Sequence, residues 1–141
     1  MSRTKISNTL KKQVSDRARG CCEYCKSQRK FSPSSFEIEH IVPISRGGSN
    51  TLENLALACA QCNSHKSNKV KAVDPASGQV VQLFHPRQMD WAKHFTWSND
   101  TLEMLAITSI GRATVALLQT NREAVINLRQ ILRQLRLHPP D

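Results

Sequence analysis

Cys22-Glu23-Tyr24-Cys25 and, further along, Cys59-Ala60-Gln61-Cys62 decide how this chain folds. A two-residue gap lets both thiolates of a pair reach one ion, and two such pairs complete the tetrahedral four-sulfur shell that zinc takes in closed structural sites. Buried free thiols or a redox pair are the alternatives, but two matched pairs without a thioredoxin-like βαβ context favour metal. Cys21 could stand in for Cys22. Cys22 is preferred because it sets the two-residue spacing, which leaves Cys21 as a spare packing residue. Four thiolates leave no coordination position for water, so this zinc is structural and any chemistry lies elsewhere.

The intervening residues 26–58 are too many for an ordinary zinc ribbon, so a substantial unit is looped out. Phe36, Ile38 and His40 alternate with Glu37, Glu39 and Ile41, as a strand does, and Leu55, Leu57 and Cys59 alternate with alanines as a second. The loop Ser45-Arg46-Gly47-Gly48-Ser49-Asn50 separates them, and a short helix over about 61–69 follows. The order is strand, loop, strand, helix.

Outward from this unit, Leu10, Val14 and Ala18 after Ser7 and Asn8 predict a helix over roughly 9–19, ended by Gly20. Beyond Lys71, the turn Asp74-Pro75-Ala76-Ser77-Gly78 precedes a strand Gln79 to Phe84 and the aromatic cluster Trp91, Phe95 and Trp97. From Arg112 to Leu137 one long helix is expected, with the apolar stripe Leu118, Val125, Leu128, Ile131, Leu132 and Leu135; Pro139 and Pro140 stop it. The stripe reads as core, with a dimer seam as the alternative. The expected class is α+β: a core with its N-terminal helix over 1–71, and a mainly helical extension over 72–141 packed on it as one unit.

Twenty Lys and Arg against 11 Asp and Glu give a net charge of +9, which points to a polyanion, nucleic acid first. The longest apolar run, Leu55 to Ala60, is too short for a secretory core or a membrane span, so a cytoplasmic location is the default expectation. Reducing conditions there disfavour disulfides among five cysteines.

Between and beside the cysteine pairs lie Glu39-His40, Asn54 and Asn63. Phosphodiester hydrolysis needs a base for water, a divalent cation for the charge on the phosphoryl and leaving oxygens, and groups that hold both in line. An imidazole, a carboxylate and amide oxygens are such a set. Neighbours on a regular strand face opposite ways, so Glu39 and His40 reach one ion only if the strand twists or bulges there. On a regular strand Glu39 is the residue to give up first.

Glu39-His40-Ile41-Val42-Pro43-Ile44-Ser45-Arg46-Gly47-Gly48, then Asn50-Thr51-Leu52-Glu53-Asn54-Leu55, then Cys59-Ala60-Gln61-Cys62-Asn63-Ser64-His65-Lys66 is similar to the HNH endonuclease family in its zinc-knuckle-bearing form. The resemblance is dense over residues 17–69, and the segment with Trp91 to Trp97 and Gly111-Arg112 resembles the tail of many small HNH proteins. It implies a ββα-metal fold stapled by a four-cysteine zinc site, and a metal-dependent endonuclease that hydrolyses DNA to 5′-phosphate and 3′-hydroxyl ends. It implies His40 as general base, Asn54 holding the His40 ring or its loop, and Glu39 and Asn63 as ligands of one catalytic divalent cation. Asn63 stands where the commonest pattern has a histidine. Its harder carbonyl oxygen suits Mg²⁺ or Mn²⁺, and His65 is a rival ligand.

Arg46 and Lys66, inside the motif, with Lys69 and Arg17 nearby, are the expected phosphate contacts, as salt-sensitive as such contacts are. The competing class is a zinc-stabilised nucleic-acid-binding module without cleavage.

Overall fold

The computed structural model describes residues 6–140; the basic stretch 1–5 lies outside the described residues. Helix α1 (Asn8–Arg17) begins where Ser7 accepts the Leu10 N–H in an N-cap, and its apolar side buries Val14. It ends two residues before the expected position, because Arg19 and Gly20 both turn left-handed, at φ 55° and 69°.

Strands β1 (Glu37–His40) and β2 (Leu55–Ala58) pair antiparallel in regular register, with Glu39 opposite Ala56 and His40 opposite Leu55. Helix α2 (Ala60–Lys66) follows directly, so strand, loop, strand and helix occur in the expected order. α2 stops short of residue 69 because Ser67 leaves the helical region at φ 52° while still donating to Asn63 O.

β3 (Lys71–Val73) and β4 (Val80–Gln82) form a hairpin over the Asp74–Gly78 turn, where Gly78 sits at φ 74° and donates to Asp74 O. The boundary drawn after Lys71 therefore falls inside a strand. A short α3 (Trp91–His94) leads into β5 (Phe95–Trp97), which pairs with β6 (Met104–Ala106). The aromatic cluster is real: the Trp91 ring centre lies 5.3 Å from that of Phe95 and 5.4 Å from that of Trp97.

The long C-terminal helix is a correction. The chain forms α4 (Ser109–Leu118) and α5 (Glu123–Gln134), broken where Gln119 turns left-handed. The break is worth more than continued helix because Asn121 brackets β6, accepting the Met104 N–H and donating to the Met104 carbonyl at 2.8 and 2.9 Å. Arg129 also donates to Thr120 O at 2.8 Å. Leu118 and Leu132 are buried, whereas Ile131 and Leu135 remain exposed on the C-terminal side.

One buried cluster takes Cys22, Tyr24, Cys25, Cys59 and Cys62 from the expected core and Phe84, Phe95, Met104 and Leu118 from the extension. Each of the larger apolar side chains contributes roughly 1.5–3 kcal/mol there. Among the described residues, no helix is long and apolar enough to cross a membrane.

Candidate active site and metal centre

The Cys22 and Cys25 thiols sit in a tight turn in which Lys26 N donates to Cys22 O at φ 65°. Cys59 is the N-cap of α2, its sulfur accepting the Cys62 N–H at 3.4 Å. The sulfurs of Cys22, Cys25, Cys59 and Cys62 all lie within 4.8 Å of one another, and those of Cys25 and Cys59 are 3.7 Å apart. A tetrahedral zinc tetrathiolate has sulfur edges of about 3.8 Å, so these four residues fit the ion. Cys21 stays out: its thiol contacts Arg19 O at 3.6 Å, and burial pushes it towards the protonated form.

Such a site carries net negative charge, and the extension answers it. Arg122 Nη2 lies 3.8 Å from Cys59 Sγ, and Arg129 donates to Cys25 O at 3.2 Å while stacking on Trp97 at 5.0 Å. Both arginines are therefore committed to the clamp and the packing around it. Glu23, inside the first knuckle, accepts the Leu57 N–H at 2.8 Å and pairs with Arg87, pinning the knuckle to the free edge of β2. Neither Glu23 nor Arg87 has a local signal that announces this pairing.

Beside the zinc clamp opens a polar cleft of about 610 Å³, lined by Glu39, His40, Ser45, Asn63 and Asn68 among others. Three residues read as catalytic or ligating thus meet at one depression. His40 ends β1, half-buried, with its Nε2 2.5 Å from Asn50 Oδ1. The amide oxygen accepts, so Nε2 is the donor of this contact.

Asn54 does not touch the ring. It holds the loop, the other half of the expectation: Oδ1 accepts the Val42 N–H at 2.8 Å, and Nδ2 donates to Val42 O and Ser49 O at 2.9 Å. Gly48 is obligatory at this crossing, since a Cβ there would lie 1.7 Å from Val42 O. Asn50 is the residue that sequence reasoning missed; it lies in the motif, but no local signal gives it a role.

No bulge occurs at Glu39, contrary to the requirement stated for it; its side chain turns inward and is 2% exposed. It accepts the Tyr24 hydroxyl and lies 3.6 Å from Lys66 Nζ. Burial pushes its carboxyl up, against the downward pull of the Lys66 ammonium and the Tyr24 hydroxyl. Glu39 therefore forms part of the cleft floor, and the imidazole is the better presented of the two.

Lys66 corrects a second expectation. Its side chain is 1% exposed and Nζ donates to Ile41 O at 2.8 Å, so no phosphate reaches it. Arg17 commits two nitrogens to Leu52 O and Leu55 O, fastening α1 to β2. Arg46 and Lys69 remain exposed, Arg46 with one donor spent on Asn68 O. His65 Nδ1 donates to Leu118 O at 2.9 Å, and of the two rival ligands Asn63, not His65, lines the cleft.

The family model described as HNH endonuclease matches residues 22–69. No curated protein matches the chain. The match opens on the first thiol of the clamp and closes three residues past α2, enclosing both knuckles, β1, β2 and the cleft residues. Residues 22–69, the clamp-and-cleft segment, thus match the HNH endonuclease family, and their four clustered sulfurs fit its zinc-knuckle form.

Proposed function

We propose that the chain is a metal-dependent endonuclease that hydrolyses DNA phosphodiesters, with His40 as general base. The observation that carries this is an imidazole at a polar cleft, held through Nε2 by Asn50, with a carboxylate and an amide lining the same cleft. Nδ1 accepts the proton of an attacking water. Asn54 keeps the 42–49 loop closed over the strand end, and so keeps the ring from swinging. Glu39 Oε2, which Lys66 approaches no nearer than 3.6 Å, and Asn63 would hold a single divalent cation. That cation, Mg²⁺ or Mn²⁺ by the hardness of an oxygen donor set, supplies charge neutralisation at the phosphoryl and leaving 3′ oxygens. Arg46 and Lys69 grip flanking phosphates.

Nicking of supercoiled plasmid with Mg²⁺ or Mn²⁺ tests this. Wild type cuts, and His40→Ala does not, while its zinc content and thermal unfolding stay unchanged. Full activity in His40→Ala refutes the assignment. A binding module without cleavage is favoured by one feature, the covered Glu39 carboxylate with its lysine neighbour. Salt-sensitive DNA binding with no cutting under any divalent ion would select that reading.

A further inference from the structure

Tyr24 lies between the two cysteines of the first knuckle, fully buried, yet its hydroxyl ends on the carboxylate of Glu39 in β1. Its position is set from three sides. The Cys22 and Cys25 thiols fix the backbone on either flank, Trp91 Nε1 donates to the Tyr24 carbonyl at 3.0 Å, and the phenol ring meets Phe84 edge-on at 6.4 Å. Glu39 sits next to His40 and is nearly closed off from solvent, so this contact decides where its carboxylate can stand.

The two carboxylate oxygens are treated differently. Oε1 takes the Tyr24 hydroxyl. Among the described residues, Oε2 has only Lys66 Nζ at 3.6 Å, beyond hydrogen-bond range, because that ammonium donates to Ile41 O at 2.8 Å. Lys66 thus compensates the buried charge without capping the oxygen. It stands on α2, four residues beyond Cys62, so the two knuckles deliver one partner each to the same carboxylate.

We propose that Tyr24 is the positioning residue of the ion site: its hydroxyl holds Glu39 Oε1 at the cleft floor so that Oε2 is the oxygen offered to a divalent cation. This rests on the reading of Glu39 as an ion ligand given above. It makes the zinc clamp a determinant of active-site geometry as well as of folding. Groups that orient metal ligands act in this way, and their loss lowers metal affinity or activity by roughly 10- to 100-fold.

The test uses the full zinc-loaded chain. Mn²⁺ binding to wild type, Tyr24→Phe and Glu39→Gln is measured by electron paramagnetic resonance without DNA, and kcat and KM for plasmid with it. Tyr24→Phe should keep zinc, weaken Mn²⁺ binding by about tenfold or more and lower kcat at limiting Mn²⁺ with KM for DNA unchanged; excess Mn²⁺ should restore kcat. A purely structural role does not give that rescue. Tyr24 is the chain's single tyrosine, so ¹³C-tyrosine labelling gives one Cζ resonance. That resonance should shift saturably with Mg²⁺ in wild type and not in Glu39→Gln, which decides the matter should Tyr24→Phe fail to fold.

Unaltered Mn²⁺ affinity in Tyr24→Phe, no Mn²⁺ binding by wild type, or a Cζ signal indifferent to Mg²⁺ overturns the proposal. If wild type cuts DNA under any of those outcomes, the positioning role alone is lost. If Mn²⁺ binding depends on Tyr24 but DNA is never cut, the nuclease reading is lost and the positioning role stands.

Discussion

Asn50 Oδ1 stands 2.5 Å from His40 Nε2, ten residues along the chain, and so occupies one of the two ring nitrogens. Replacing this amide frees the ring without touching the zinc clamp. Asn50→Ala should therefore lower kcat for plasmid nicking, by up to about 100-fold if the ring drifts by an ångström, and leave KM for DNA and zinc content as they are. A variant with wild-type kcat would show that the ring needs no such anchor.

Gly48 underlies the same loop. An alanine Cβ would meet Val42 O at 1.7 Å and Asn54 Nδ2 at 2.7 Å, and the first of these is backbone that cannot give. Gly48→Ala should destabilise the chain by roughly 2–4 kcal/mol and reduce cutting together with Asn54→Ala. Gly47→Ala is strained for a different reason, the left-handed φ of 90°, and meets no atom. Urea unfolding that ranks Gly48→Ala as the milder of the two would contradict this packing.

The clamp is expected to hold one zinc per chain. Cys62→Ser should lose the ion and with it cooperative unfolding, since structural zinc contributes about 10–16 kcal/mol, on the scale of a whole domain's stability of about 5–15 kcal/mol. Cys21→Ser should retain full zinc, because its sulfur faces Arg19 O rather than the cluster. Zinc stoichiometry by mass spectrometry or a chromogenic chelator reads both, and zinc loss from Cys21→Ser would mean the ligand set is wrong.

Asp74 at the β3–β4 turn is fully covered and receives Arg112 Nε and Nη2 at 2.9 Å each, which hold its carboxyl well below the usual range. A lowered acid pKa contributes stability above the unfolded value of about 3.9 that disappears as pH falls below it. The stability gap between wild type and Arg112→Leu should be full at about pH 6–7 and close progressively below about pH 4. A gap independent of pH, by urea midpoints, would place the effect in packing alone.

Exposed and buried cations of the motif should separate by salt. Lys69→Ala should reduce the slope of log affinity against log salt by about 0.9 for one lost phosphate contact. Lys66→Met should instead destabilise the fold by stripping a buried carboxylate of its counter-charge, since Lys66 is 1% exposed beside Glu39. Fluorescence anisotropy at several salt concentrations distinguishes them, and a slope change in a folded Lys66→Met would reverse the assignment.

Much of this protein is written in short-range pattern. Two cysteine pairs, alternating apolar residues on either side of a Gly-Gly loop, and an acid-His pair at a strand end are signals carried within a few residues. They were enough for the α+β class and for the four cysteines whose sulfurs cluster. A regular strand is just as local a matter, which is why the condition set on Glu39 could be stated from the sequence, whereas its place in the cleft lining beside His40 came only with the fold. What only the tertiary structure decided are pairings across long separations. Asn50 rather than Asn54 reached the ring, Lys66 and Arg129 went inward, Glu23 met Arg87, and Asn121 on β6 broke a helix whose periodicity ran on unbroken. Periodicity records which face of an element is apolar, but which polar group satisfies which is set when the clamp closes and burial leaves each donor a single acceptor within reach.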